Sequence, residues 1–120
     1  MKAFAVAVLA VAVLAACGGS SGTAQPSGSL KVTLTEFKFD PGTISAPSGK
    51  VVFFLVNSGT TSHDLIIRDA SNKKISSSEL ISAGDSSVFT VDNIAAGTYT
   101  YFCDQPGHEA SGMKGTLTIT

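Results

Sequence analysis

The sequence predicts an all-β protein, a β-sandwich of about seven or eight short strands. Two observations lead to this fold class. After Ser29 no segment keeps an apolar period of 3.6 residues, and several short runs alternate or are rich in β-branched and aromatic side chains. Gly, Pro, Asn and Asp separate these runs. Strands are expected at residues 30–34, 50–56, 63–68, 87–91, 98–103 and 114–120.

The individual elements differ in how clearly they are marked. Leu30, Val32 and Leu34 alternate with polar residues, and the phase slips before Phe37, which indicates a β-bulge or the start of a second strand. Residues 50–56 are apolar on both faces and therefore predict a strand in the middle of a sheet. Residues 75–85 carry no clear pattern and are compatible with a helical turn.

The first 16 residues have the composition of an export signal. Lys2 precedes an unbroken apolar run at residues 3–16, which is shorter than the roughly 20 residues of a membrane-spanning helix but matches a secretory signal core. The run ends in Leu-Ala-Ala-Cys at residues 14–17, which resembles the lipobox of bacterial lipoproteins. We therefore expect a signal peptide at residues 1–16 and a diacylglycerol group on Cys17. The alternative is an ordinary signal that leaves Cys17 as a free thiol.

The next segment, residues 18–29, contains no charge and no large apolar side chain. We expect it to be a flexible tether with a root-mean-square reach of roughly 20 Å. The folded domain should then occupy residues 30–120, exported and held by its N-terminal lipid on the outer face of the cell membrane or in the periplasm. We expect a monomer.

The charge balance excludes one class of partner. Lys and Arg number 8 and Asp and Glu number 9, giving a formal net charge of -1. Nucleic-acid binding needs a basic face that neutralises phosphates, so we expect no nucleic-acid partner.

Four side chains that can bind a metal are expected at one end of the sandwich. Cys103, His108 and Met113 lie close together between the last two predicted strands, and His63 begins an earlier strand. Thiolate and thioether are soft ligands, and two imidazoles, one thiolate and a weak axial thioether are the blue-copper set. Zinc accepts a thioether poorly. The residue types therefore predict a copper site.

The segment 101–115 resembles the copper loop of the cupredoxins, and the likeness extends over essentially all of residues 30–120. Cys-x4-His, with its Pro-Gly-His turn, is similar to azurins and auracyanins, and His-x4-Met is similar to plastocyanins and auracyanins. The resemblance implies a Greek-key sandwich with a single type 1 copper and an electron-transfer function. The copper ligands that it implies are His63, Cys103, His108 and Met113.

The resemblance also concerns the surroundings of the ligands. It implies that the backbone N–H groups of Asp64 and Gln105 approach the Cys103 thiolate. Many members of the family carry Asn directly after the first histidine, where this chain has Asp64, which accepts hydrogen bonds but cannot donate an amide N–H.

The expected function is therefore one-electron transfer between donor and acceptor proteins, which we expect to dock where His108 meets the surface. The small uncharged residues Pro106, Gly107, Ala110 and Gly112 flank that histidine. A periplasmic copper carrier or storage protein with the same ligands is the alternative. An enzyme using Cys103 as nucleophile is disfavoured, because it leaves the other metal-binding side chains unexplained.

Overall fold

A computed structural model of the chain describes residues 23–120, and its strands form two sheets. The strand order is β2-β1-β4-β7 in the first sheet and β3-β9-β8-β5-β6 in the second. The strands are β1 (Leu30–Thr35), β2 (Lys38–Asp40), β3 (Thr43–Ala46), β4 (Gly49–Asn57), β5 (Ile66–Arg68), β6 (Lys74–Ser77), β7 (Ser86–Ile94), β8 (Gly97–Phe102) and β9 (Lys114–Ile119). The predicted all-β sandwich is confirmed, with nine strands and no helix in this part of the chain.

The pairing combines neighbours in the sequence with distant strands. β1 pairs with β4 and β3 pairs with β9 in parallel, whereas β4–β7, β5–β6, β5–β8 and β8–β9 are antiparallel. β1 and β2 form an antiparallel hairpin, so the slip in apolar phase before Phe37 marks a second strand rather than a bulge. As predicted, β4 is central in its sheet, and Phe53, Phe54 and Leu55 are all buried.

The sequence-based expectations were wrong at three places. Residues 75–85 hold no helical turn: β6 covers the start of this stretch, and Ile81 forms an isolated bridge with His63. β5 begins at Ile66 rather than at residue 63. The strands β3 and β6 were not predicted, because β3 has only four residues and the apolar Ile75 of β6 points outward with 39% of its surface exposed.

The core lies between the two sheets and is made of aliphatic and aromatic side chains from both. Strands β1, β4 and β7 contribute from one side and β5, β8 and β9 from the other. Its largest fully buried apolar members are Leu34, Phe53, Leu55, Leu65, Ile67, Tyr101, Met113 and Leu117. Burial of such side chains stabilises a fold by about 1.5–3 kcal/mol each. This core is continuous with the buried end of the sandwich where the predicted ligands lie, since Cys103 and Met113 belong to the same cluster.

The segment ahead of β1 is described only from Thr23. Residues 26–29 form a turn in which the N–H of Ser29 donates to the carbonyl of Pro26 over 3.2 Å. The predicted signal peptide and Cys17 lie outside the described residues. Within residues 23–120, no helix is long and apolar enough to cross a membrane.

Candidate metal centre

Three of the predicted ligands lie on the loop that joins β8 to β9. Cys103 directly follows β8, and Met113 directly precedes β9. The loop folds back on itself, because the N–H of His108 donates to Gln105 over 3.0 Å and the N–H of Met113 donates to His108 over 3.1 Å. Gly107 has a φ of 80°, a conformation that glycine adopts without strain, and it turns the chain just before His108.

His63 is brought to the same end by a short bridge to Ile81. The two residues exchange backbone hydrogen bonds of 3.1 and 2.8 Å. The buried amide of Asn57 supports this bridge, since its Nδ2 atom donates to the carbonyls of Thr61 and Ile81, each over 2.8 Å. The loop from β4 to His63 is therefore held at both of its ends.

The side chains of His63, Cys103 and His108 converge on one point. The Nδ1 atoms of the two imidazoles lie 3.1 Å apart. The Sγ atom of Cys103 lies 3.9 Å from Nδ1 of His63 and 3.4 Å from Nδ1 of His108. Two nitrogens and one sulfur thus form the corners of a small triangle at the buried end of the sandwich.

A metal ion fits the centre of this triangle. The point equidistant from three corners with these separations is about 2.0 Å from each, close to the ~2.0–2.1 Å of a metal–imidazole bond and slightly short of the ~2.3 Å of a zinc–thiolate bond. His63, Cys103 and His108 would therefore be the residues that hold an ion at this point. The donor set, two imidazoles and a thiolate in a trigonal arrangement, is the one typical of blue-copper sites.

Met113 lies next to this group in the fold. It is fully buried, and its carbonyl accepts a 3.2 Å hydrogen bond from the N–H of Cys103. Together with the bond from its own N–H to His108, this ties Met113 to two of the three corner residues. The structure therefore brings all four predicted ligands to one end of the molecule.

The environment of Cys103 acts on the thiol in opposite directions. Burial raises its pKa and the backbone N–H groups of Asp64 and Gln105 lower it, and the resulting pKa is about 11. These are the two N–H groups that the cupredoxin resemblance places near the sulfur. A metal ligand must be the thiolate, so the field of a bound ion has to overcome the effect of burial.

The side chain of Asp64 connects the two ligand segments, although it has no amide N–H to donate. Its Oδ1 atom accepts a 2.9 Å hydrogen bond from the N–H of Asp104, and its Oδ2 atom lies 3.5 Å from Nε2 of Gln105. Burial raises the pKa of the Asp64 carboxyl. The aspartate thus links the segment of His63 to the segment of Cys103 as an acceptor.

Glu36 was not expected from the sequence. Its Oε1 atom lies 3.2 Å from Nε2 of His63 and also accepts from the N–H groups of Thr60 and Thr61, over 2.7 and 2.8 Å. Hydrogen bonds from Thr61 and Thr60 lower the pKa of this carboxyl to about 2. A single glutamate in a strand turn gives no sequence signal of this contact, which bridges distant parts of the chain.

His108 is the ligand nearest the surface. It is half-buried, whereas His63 is fully buried. The ring of Phe37 packs edge-on against it, with 5.0 Å between ring centroids. The flanking residues singled out in the sequence are all exposed: Pro106, Gly107, Ala110 and Gly112.

Comparisons with known proteins agree with this geometry. A model of the cupredoxin-like domain matches residues 5–119. Auracyanin-B of Chloroflexus aurantiacus is 51% identical over 41 residues, which are 34% of this chain and only 17% of that protein. Plastocyanin of Dryopteris crassirhizoma is 33% identical over 94 residues, which are 69% of this chain and 88% of that one.

The structure of this chain is also similar to that of an auracyanin. The structure of reduced auracyanin from the photosynthetic bacterium Roseiflexus castenholzii superposes with a TM-score of 0.68 at 22% identity, covering 80% of this chain and 99% of that one. The family match over nearly the whole sequence, the plastocyanin match and the shared architecture lead to one conclusion. This chain belongs to the cupredoxin-like family.

Proposed function

We propose that this protein carries single electrons, using one type 1 copper ion that alternates between Cu(II) and Cu(I). The observation that carries the proposal is the triangle of His63 Nδ1, His108 Nδ1 and Cys103 Sγ, with sides of 3.1, 3.4 and 3.9 Å. When bound, copper in such a set accepts and releases one electron.

The residues around the triangle are arranged to hold their positions during this exchange. His63 is fixed on one side by the bridge to Ile81 and on the other by Glu36. Two backbone N–H groups donate toward the Cys103 sulfur and stabilise its thiolate form. Because the ligands are held by the fold, little atomic movement accompanies a change of charge, and this favours fast transfer.

The proposal assigns no catalysed reaction to the chain, because the four protein side chains would occupy the coordination positions of a type 1 site and leave none for a substrate. A copper carrier or storage protein with the same ligands is distinguished by metal exchange. A carrier should lose its ion readily to a competing chelator, whereas an electron carrier should be oxidised and reduced repeatedly without losing it.

The test of the copper assignment is the visible spectrum. Holo-protein should show an intense thiolate-to-Cu(II) charge-transfer band, and Cys103→Ser should abolish it even if some copper stays bound. Cys17→Ser, the same substitution at the other cysteine of the chain, is the matched control and should keep the band. A Cys103→Ser protein that remained blue would contradict the assignment.

We further propose that donor and acceptor proteins dock on the surface around His108. The support is the half-buried ring of His108 among exposed residues without charge, such as Ala110 and Gly112. Surfaces of this kind suit brief redox encounters, which bury little area.

The docking surface can be probed through electron self-exchange between oxidised and reduced copies of this protein, measured by NMR line broadening. Ala110→Glu places like charges at the contact and should slow the exchange about tenfold or more at low salt. Thr90→Glu, at an exposed position of β7, is the control. Equal rates in the two variants would locate the exchange surface elsewhere.

We also propose that the protein is exported and anchored by a lipid on Cys17. The support is the apolar run of residues 3–16, the Leu-Ala-Ala-Cys motif and the polar residues that follow it. The anchor would keep the copper domain close to a membrane.

A further inference from the structure

Glu36 lies in the turn between β1 and β2 and reaches the outer side of the metal centre. Its Oε1 atom lies 3.2 Å from Nε2 of His63, the ring nitrogen opposite the one that faces the other ligands. The His63 side chain is fully buried, whereas the Glu36 side chain is 28% exposed. A carboxylate at the protein surface is therefore in direct contact with a buried ligand.

We propose that Glu36 is a positioning residue for the copper site: it holds the proton of His63 on Nε2, leaves Nδ1 free for the metal, and favours Cu(II) over Cu(I). The redox part of this inference rests on the function proposed above. The positioning part concerns only residues of this chain and can be tested without copper.

The position of the His63 proton follows from the chemistry of the two partners. A neutral imidazole carries one proton, and the nitrogen without it is the one that can bind a metal. The carboxylate of Glu36 is an acceptor, so it stabilises the tautomer with the proton on Nε2. Without Glu36, Nδ1 of His63 could carry the proton instead and donate it to Nδ1 of His108, only 3.1 Å away.

The surroundings of Glu36 hold its carboxylate in place. Besides the two backbone N–H groups, the hydroxyl of Thr61 donates to Oε1 over 3.0 Å. Gly59 leaves the space that the carboxylate occupies, because a Cβ atom at that position would lie 2.6 Å from Oε1 and 2.8 Å from Oε2. The carboxylate is thus built into the loop that carries His63.

The Glu36 carboxylate is expected to lower the reduction potential of the copper site for two reasons. A carboxylate that accepts the Nε2 proton makes the imidazole a stronger donor through Nδ1, which favours the more strongly acidic Cu(II). The negative charge of Glu36 also favours the ion of higher charge. Both lower the reduction potential.

The positioning part is tested by 15N NMR on the copper-free protein at a pH of about 8, where free imidazoles are neutral. The chain has only two histidines, so the ring signals are readily assigned. The wild type and Glu36→Gln should show His63 with a slowly exchanging proton on Nε2, because the glutamine oxygen can still accept. Glu36→Ala should show a mixture of tautomers and faster exchange. A Glu36→Ala protein identical to wild type would overturn the inference.

The redox part is tested by titrating the visible band. Glu36→Gln should shift the Cu(II)/Cu(I) equilibrium about tenfold toward Cu(I), which raises the potential by about 59 mV. Asp92→Asn removes the same charge from an exposed position of β7 and should change the potential little. Glu36→Ala should also bind Cu(II) about 10–100-fold more weakly. Equal potentials in Glu36→Gln and Asp92→Asn would overturn the redox part.

These measurements separate the two proposals. A wild-type protein without a visible band would contradict the proposed function, yet the tautomer of His63 would still support or overturn the positioning part.

Discussion

Asn57, at the end of β4, is a buried polar residue whose side chain has a structural role. It is 1% exposed, and its amide makes three hydrogen bonds: two from Nδ2 to carbonyls, and one accepted by Oδ1 from the N–H of Gly59 over 2.9 Å. One of the two carbonyls belongs to Ile81, the partner of His63 in the isolated bridge. Asn57 therefore stabilises the loop that delivers the first histidine.

Asn57→Ala should lower the free energy of unfolding by about 2–4 kcal/mol, because it removes all three hydrogen bonds of a buried amide, and the one to the carbonyl of Ile81 is itself fully buried. Urea denaturation of the copper-free protein measures this loss. Asn93→Ala, at an exposed position of β7, should change the same quantity by no more than about 0.5 kcal/mol. Similar losses in both variants would show that the Asn57 amide has no special role.

Single residues could be predicted where their chemistry is specific. Cysteine, histidine and methionine in one loop indicate a copper site from residue type alone. The parts played by Glu36 and Asn57 could not be predicted, because each depends on contacts with residues more than twenty positions away. Glutamate and asparagine in turns are common without any such contact.

At the scale of elements, the β8–β9 pair links the core to the ligand loop. Tyr101 pairs with Gly115 across the two strands, and its hydroxyl donates to the carbonyl of Pro41 over 2.7 Å. The Tyr101 ring, which is 1% exposed, lies so close over Gly115 that a Cβ atom there would overlap it. Burial raises the pKa of the Tyr101 phenol to about 12, so it stays a donor at physiological pH.

Gly115→Ala should destabilise the fold by about 1–3 kcal/mol, because the buried ring of Tyr101 has to move. Thermal unfolding of the copper-free protein checks this. Gly42→Ala is the matched control, since the nearest atom to its Cβ would be a carbonyl oxygen 3.9 Å away. If Gly115→Ala unfolded at the wild-type temperature, the ring would have more freedom than the structure indicates.

The elements that were predicted correctly are those with a buried face long enough to show in the sequence, such as β1, β4 and β9. The short strand β3 and the edge strand β6 have no such face, and only tertiary pairing with β9 and β5 makes them strands. The isolated bridge of His63 with Ile81 likewise could not be predicted, because a single residue pair leaves no periodic pattern in the sequence.

At the scale of the whole molecule, the proposed lipid anchor can be tested separately from the copper site. Cys17→Ser, if it is exported, should move from the membrane fraction to the soluble fraction, because two acyl chains bind a bilayer stably and none remains in the variant. Its visible spectrum should stay the same, since the residues that hold copper begin at His63. A wild-type protein found free of lipid would contradict the anchor.

The fold class could be predicted because patterns along the whole domain agree with it. It could also be predicted that the loop of His63 meets the loop of Cys103 at one end of the sandwich. A sandwich places its loops at two ends, and side chains that bind one metal ion must lie close together. The strand order could not be predicted in the same way. It includes two parallel pairs that join distant segments, and local patterns carry no information about them.

The parallel pairing of β3 with β9 affects how fast the protein folds. Most of the domain separates Thr43 from its partner Thr116. Closing so long a loop costs conformational entropy before the strand contacts can stabilise it, and this slows folding. β9 begins directly after Met113 and pairs with β8 across the copper loop, but the core that buries Cys103 is complete only when β9 has also paired with β3. For as long as folding lasts, the Cys103 thiol is open to oxidation, and an oxidised sulfur cannot bind copper as a thiolate. The newly made protein is thus most vulnerable in the interval before its last strand docks.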